Sequence, residues 1–156
     1  SISLLLFPQV LYGIPVLELR HKAEGGKKRE LKAKKVVTEE LEEPFLPLAN
    51  KIITYIETEK PFVHPDFSIS HIAVNLNIPQ HHIAYCFNNV LAKKFTTLRA
   101  EWRVNYAKEL LKNGLTDTLS MDGIGYKSGF STRSNFYSTF KSITGLTPSE
   151  YLEKLS

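Results

Sequence analysis

From Leu48 to the end of the chain, apolar residues recur at three- and four-residue spacing, and no alternating stretch of useful length appears. That period belongs to helices, so the pattern predicts an all-α domain. Its longest element is Phe95–Asn113, which contains no Gly or Pro and is rich in good helix formers. Two apolar rows run along it: Leu98, Trp102, Tyr106 and Leu110 form one, and Ala100, Val104, Ala107 and Leu111 the other. At about 100° per residue the rows occupy neighbouring flanks, leaving Glu101, Asn105, Lys108 and Lys112 on the remaining side. A surface helix normally buries one stripe. Two buried flanks suit a rod gripped by a small cluster on each side.

The segments flanking the rod share one grammar. Before it, Leu48, Ile52, Ile53 and Ile56 mark a helix that stops at Lys60-Pro61. Ser68 can cap a short helix with Ile69, Ile72, Ala73 and Leu76 inward, and Asn77 tolerates the left-handed turn that follows. A second helix starts at Pro79, with Ile83, Phe87 and Leu91 inward. After the rod, Ser120 precedes a short helix with Met121 and Ile124 inward, and Gly129-Phe130 supplies a turn. Ser131 is expected to cap the next helix, which carries Phe136, Phe140 and Ile143 on its buried side, and Gly145 ends it. Thr147-Pro148-Ser149-Glu150 is a full start signal for a last helix burying Tyr151, Leu152 and Leu155. Each side of the rod therefore holds a candidate helix-turn-helix.

The first 47 residues are different, and residues 48–156 are expected to form the domain. Residues 1–19 are apolar but broken by Pro8 and Pro15, too short to span a bilayer, which takes about 20 apolar residues. No basic stretch precedes the run and no small-residue cleavage site follows it, so it is a poor signal peptide. Residues 20–35 then hold eight Lys or Arg against two Glu, and residues 36–47 reverse the charge before closing on Pro44 and Pro47. An apolar end followed by a basic run matches the cytoplasmic exit of a membrane helix, with anionic lipid as a partner for the Lys27–Lys35 run. It equally matches a hydrophobic arm with a solvated basic linker. Position 1 is serine rather than methionine, which reads as an excised fragment.

Composition adds less. The 156 residues are 42% apolar, enough for one ordinary domain, and a net charge of +4 permits nucleic acid as a partner. The single Cys86 rules out an internal disulfide. His81, His82 and Cys86 sit at helical spacing, but no four-ligand metal set accompanies them, and nothing supplies Cys86 with a base. No carboxylate pair, nucleophile–base set or phosphate loop appears, so the chain reads as a non-enzyme without cofactor or metal.

Two helix-turn-helix units on one rod carry a specific meaning. The second helix of such a unit fits the major groove of B-DNA. A rod of nineteen residues is roughly 28 Å long at 1.5 Å per residue, which sets the two helices about one DNA turn apart. Arg103-Val104-Asn105-Tyr106-Ala107-Lys108-Glu109-Leu110-Leu111 resembles the rod signature of AraC/XylS-type transcription regulators. So does the run Met121, Ile124, Ser128-Gly129-Phe130, Phe136, Phe140-Lys141, Gly145, Thr147-Pro148 and Tyr151. The resemblance covers about Leu48–Leu155. It implies seven helices in two helix-turn-helix subdomains joined by a long central helix, with an N-terminal extension. It also implies sequence-specific recognition of promoter DNA, with RNA polymerase as a further partner, activator function and a cytoplasmic, nucleoid location in bacteria. The segment Leu6–Pro15 is similar to the junction after the last membrane helix in AraC-type regulators with multi-span membrane halves, which would place the intact protein at the cytoplasmic face of the inner membrane. Two departures stand out. Gly125 replaces the family's usual Ala and Gly123 adds a second helix-interior glycine, each costing about 1 kcal/mol relative to Ala, so this helix is expected to be loose. Tyr85 and Ser138 occupy positions that often hold Arg.

The outward residues of the two reading helices are the candidate contacts. In the first they are Gln80, His81, Ala84, Tyr85 and Asn88; in the second, Thr132, Arg133, Ser134, Asn135, Ser138 and Lys141. Arg133 suits guanine and Lys141 a phosphate. Ser120 and Ser131, at helix starts, can present backbone N–H groups to phosphates. Trp102 is expected in the core, and Arg99 and Arg103 suit internal ion pairs or phosphate contacts. The alternative is a helical protein-interaction module of the same fold that no longer binds DNA.

Overall fold

A computed structural model describes residues 45–155, and the features expected of residues 1–44 lie outside the described residues. Helix α1 spans Leu46–Glu59, starting two residues before the apolar pattern predicts. Pro47 falls in its first turn, where the missing N–H has no intrahelical partner to lose. Lys60, left-handed at φ 48°, ends it, and a short 3₁₀ turn follows at Pro61–Val63. Helix α2 is Ile69–Leu76, capped by the Ser68 hydroxyl, which accepts from the His71 N–H, and closed by Asn77 at φ 52°. Helix α3, Gln80–Tyr85, runs into a π-helical turn at Cys86–Val90, where the Leu91 N–H donates to the Cys86 carbonyl at 2.8 Å.

The rod, α4, is Phe95–Lys112. Beyond a 3₁₀ turn at Leu115–Asp117 come α5 (Met121–Lys127), α6 (Arg133–Thr144) and α7 (Pro148–Glu153). That makes seven α-helices among the described residues and no strand, the all-α architecture with two helix-turn-helix units on a central helix. One expected cap is corrected. The hydroxyl that starts α6 is that of Thr132, which accepts from the Asn135 N–H; Ser131 stands one residue before that cap. The Thr147–Glu150 capping box forms in full at α7.

Two separate apolar clusters hold the domain together. The first gathers Ala49, Ile52, Ile56, Phe62, Phe67, Ile72, Ile83, Cys86 and Phe87 around Phe95 and Leu98 of the rod, with Trp102 packed partly against it. The second gathers Ile124, Phe130, Phe136 and Phe140 around Val104, Ala107, Leu110 and Leu111. The rod is thus gripped from both sides, but the division runs along its axis as much as around it. Leu110 continues the row of Leu98 and Trp102 yet belongs to the second cluster, and Tyr106 touches both. Each fully buried Phe or Ile contributes about 1.5–3 kcal/mol, so either cluster is a sizeable core for its small unit. Two expected core positions are corrected: Ile143, at the end of α6, and Leu155, two residues past α7, are exposed, each beyond the last residue of its segment that the second cluster covers.

Candidate nucleic-acid interface

The local sequence explains why α3 stands where it does. Asn77 adopts the left-handed conformation, and the Ile78 N–H returns to the Ala73 carbonyl at 3.0 Å, so the chain reverses in a tight turn before Pro79 starts the next helix. Ile83 and Phe87 then anchor one side of α3 in the first cluster. On the other side Gln80, His81 and Asn88 are exposed. Ala84 and Tyr85 are half-buried, and the Tyr85 ring lies 4.6 Å from that of Phe45, which also meets His82 edge-on at 5.4 Å. Cys86 is fully buried and burial pushes its thiol above the usual value, which suits packing rather than nucleophilic work.

The second unit repeats this construction. The Ser120 hydroxyl caps α5 by accepting from the Gly123 N–H, Gly129 turns the chain at φ +92°, and Phe136 and Phe140 hold α6 down. Thr132, Arg133, Ser134, Asn135, Ser138 and Lys141 are all exposed. Several already have partners within the helix. Asn135 Oδ1 accepts from the Thr139 hydroxyl at 3.0 Å, and the Ser138 hydroxyl donates to the Asn135 carbonyl at 3.2 Å. Arg133 Nη1 donates to Asp122 Oδ2 at 2.7 Å, and its guanidinium lies 4.8 Å over the Tyr137 ring. Ser120 and Ser131 are exposed as well.

The glycines of α5 do not behave as the sequence suggests. Gly125 is buried, and a Cβ there would lie 2.6 Å from Phe136 Cδ1. The Phe136 ring has taken the space of the missing methyl, so Gly125 is a close-packing site rather than a loose one. At Gly123 a Cβ would meet nothing nearer than the Ser120 hydroxyl at 3.4 Å.

Arg103 carries a role that sequence reasoning missed. Among the described residues neither it nor Arg99 makes an ion pair, one of the two roles expected of them. Arg99 donates to the Phe67 carbonyl at 2.8 Å. Arg103 is buried, with Nε donating to the Phe62 carbonyl at 2.8 Å and Nη2 to those of His64 and Pro65 at 2.8 and 3.3 Å. Desolvation, then the neighbouring Arg99 charge, pulls its pKa down to about 10. The same guanidinium lies 5.9 Å over Phe130, and a Cβ on Gly129 would fall 2.3 Å from the Phe62 carbonyl oxygen and 2.8 Å from Arg103 Nε. The loop at 62–65 of the first unit, the rod and the turn of the second unit therefore meet at one arginine. Arginine at mid-rod was a visible signal; its carbonyl partners, about forty residues away in the chain, were not.

Among the described residues no group of three or more His, Cys, Asp or Glu is arranged to hold a metal ion, and no helix is long and apolar enough to cross a membrane.

Compared with known proteins, residues 72–154 match a helix-turn-helix domain family. The match covers the rod, the second helix-turn-helix unit and the first unit from Ile72, within α2, onward. The chain belongs to the AraC-type helix-turn-helix family. An HTH-type transcriptional regulator of Staphylococcus aureus, itself uncharacterized, is 31% identical over 102 residues, 65% of this chain; the chain spans 13% of that protein's length. The C-terminal domain of AraT, a response regulator from Geobacillus stearothermophilus, superposes with a TM-score of 0.59 at 26% identity, covering 69% of this chain and 85% of that one. A DNA-binding transcriptional dual regulator from Escherichia coli K-12 shares the fold, with a TM-score of 0.57 at 21% identity over 68% of this chain and 95% of its own. The AraC-type family is one of transcription regulators that bind DNA through this domain, not a class of enzymes.

Proposed function

We propose that this AraC-type domain reads a bipartite operator in double-stranded promoter DNA, with α3 and α6 in successive major grooves. The observation that carries the reading is the doubled unit on one helix. Each half presents an exposed polar face on its second helix, and each is anchored to the same rod by its own apolar cluster. The eighteen residues of α4 make a strut about 27 Å long, near one duplex repeat. Gln80, His81, Ala84, Tyr85 and Asn88 line the first contact, with Tyr85 held by Phe45. Thr132, Arg133, Ser134, Asn135, Ser138 and Lys141 line the second; Arg133 meets guanine and Lys141 a phosphate. Ser120, the cap of α5, and Ser131, just ahead of the Thr132 cap of α6, face phosphates. In the intact protein the domain acts on promoters in the bacterial cytoplasm as an activator in contact with RNA polymerase, and the apolar end and basic run of residues 1–35 tether it at an anionic membrane surface.

Selection from random duplexes at physiological salt tests this. The expected result is a two-part consensus whose affinity drops at least tenfold when about five base pairs, half a turn, separate its halves. Affinity indifferent to that insertion, or to salt, would overturn the mode. Glu substituted at His81 or Ser134 should abolish binding to the consensus. Full tolerance at both would favour a protein-interaction module.

A further inference from the structure

Arg133 is the first residue of α6, at the end of the helix that helix-turn-helix proteins present to base edges. An exposed arginine normally spreads over many rotamers, which blurs any base contact it makes. Here it is held from two elements. Asp122, on α5, receives its Nη1 at 2.7 Å, and Tyr137, one turn further along α6, lies under the guanidinium at 4.8 Å. The side chain is still 64% exposed, and a guanidinium has five N–H groups, so an edge of the fork remains for a ligand. Asp122 does this at a cost. Its Oδ1 is buried without a hydrogen-bond partner among the described residues, an arrangement native structures rarely keep without a reason. A carboxylate beside a groove-entering helix also repels phosphate, so it lowers affinity for DNA of every sequence.

We propose that Asp122 is a positioning residue that aims Arg133 for bidentate recognition of one guanine, with Tyr137 as the platform beneath it. The assignment rests on α6 being the groove-entering helix. Asp122 thereby trades general affinity for selectivity. A pre-aimed fork matches the paired O6 and N7 acceptors of guanine and leaves at least one donor unmatched opposite any other base.

The test compares the wild-type domain with Asp122→Asn, Arg133→Ala, the double variant and Tyr137→Leu, each against the selected duplex, its single-base variants and an unrelated duplex. Asp122→Asn, nearly isosteric, should reduce the guanine preference at one operator position about tenfold. It should leave binding to unrelated duplex unchanged or tighter. Tyr137→Leu should relax the same position to a smaller extent, and the double variant should match Arg133→Ala. Loss of affinity for all duplexes alike with Asp122→Asn, accompanied by an earlier melt, would make Asp122 merely structural and overturn the assignment. If Arg133→Ala leaves every base preference intact, the reading of α6 itself fails. If Arg133→Ala relaxes the position but Asp122→Asn keeps the wild-type ratio, the positioning role alone fails.

Discussion

Replacing Gly129 by alanine should be far more damaging than replacing Gly145, although both are left-handed glycines that close helix-turn segments. At Gly145 (φ +79°) an added Cβ would meet nothing within 4 Å, so the cost is backbone strain alone, about 1 kcal/mol. At Gly129 (φ +92°) that strain is joined by a collision: the Cβ would lie 2.3 Å from the Phe62 carbonyl oxygen and 2.8 Å from Arg103 Nε. Neither neighbour can yield cheaply, because they are each other's hydrogen-bond partners at 2.8 Å and the arginine is buried. Prising them apart forfeits a charged hydrogen bond, about 1.5–3 kcal/mol. With overpacking included, Gly129→Ala should cost about 4 kcal/mol, a large part of the roughly 5–15 kcal/mol available to a domain. Urea melts followed by circular dichroism measure both variants against wild type. A Gly129→Ala cost no greater than that of Gly145→Ala would refute the junction as the meeting point of the two units.

Other substitutions probe the same packing. Gly125→Ala, which restores the residue usual in the family, should destabilise by about 1–3 kcal/mol in thermal melts because Phe136 fills the space, whereas Gly123→Ala should stabilise by about 0.5–1 kcal/mol. Arg103→Met should cost about 3–5 kcal/mol in urea by removing the donor shared by the carbonyls of Phe62, His64 and Pro65, of which His64 keeps the Phe67 N–H, and Arg103→Lys should recover only part of it, having no fork. Glu150 is held below its usual 4.5 by the Thr147 N–H and hydroxyl. Its folded pKa is the lower one, so its contribution is present above pH 4.5 and is lost as pH falls through the folded value. The stability difference between wild type and Glu150→Gln should therefore shrink on acidification, and a difference constant with pH would contradict the cap.

What could be read from the sequence was local. Ser68, Asn77, Gly145 and the Thr147–Glu150 box each signal through partners within about four residues, and each forms as the pattern predicts. The choice between Ser131 and Thr132 needed one more comparison: Pro79 stands four residues before Ile83, and Thr132 four before Phe136, so the two units start their second helices in the same register. Gly125 pairs with Phe136 across a turn, and Arg103 with carbonyls some forty residues away. Composition and period say nothing about such contacts. For that reason the helices and their inward faces were legible, while the joint that fixes one unit against the other was not. The candidate contact residues were visible as outward positions, but not the partners some of them already hold, such as Asp122 for Arg133 and Phe45 for Tyr85.

The two reading segments differ in a way that predicts how salt acts. Residues 80–90 contain no Lys, Arg, Asp or Glu, and their α-helix gives way to a π turn after Tyr85. Helix α6 is twelve residues long and presents Arg133 and Lys141. Counterion release follows the number of phosphates that fixed cations neutralise, not the number of hydrogen bonds made. If both halves touch DNA, the second should therefore supply most of the salt dependence and the first should add base contacts nearly free of it. Lys141→Ala should flatten the plot of log affinity against log salt by about one. Gln80→Ala and Asn88→Ala should weaken the selected duplex while leaving that slope unchanged. Equal weakening of the selected and an unrelated duplex by Gln80→Ala or Asn88→Ala would mean that the first segment holds the backbone rather than the bases, and this division of labour between the halves would fail.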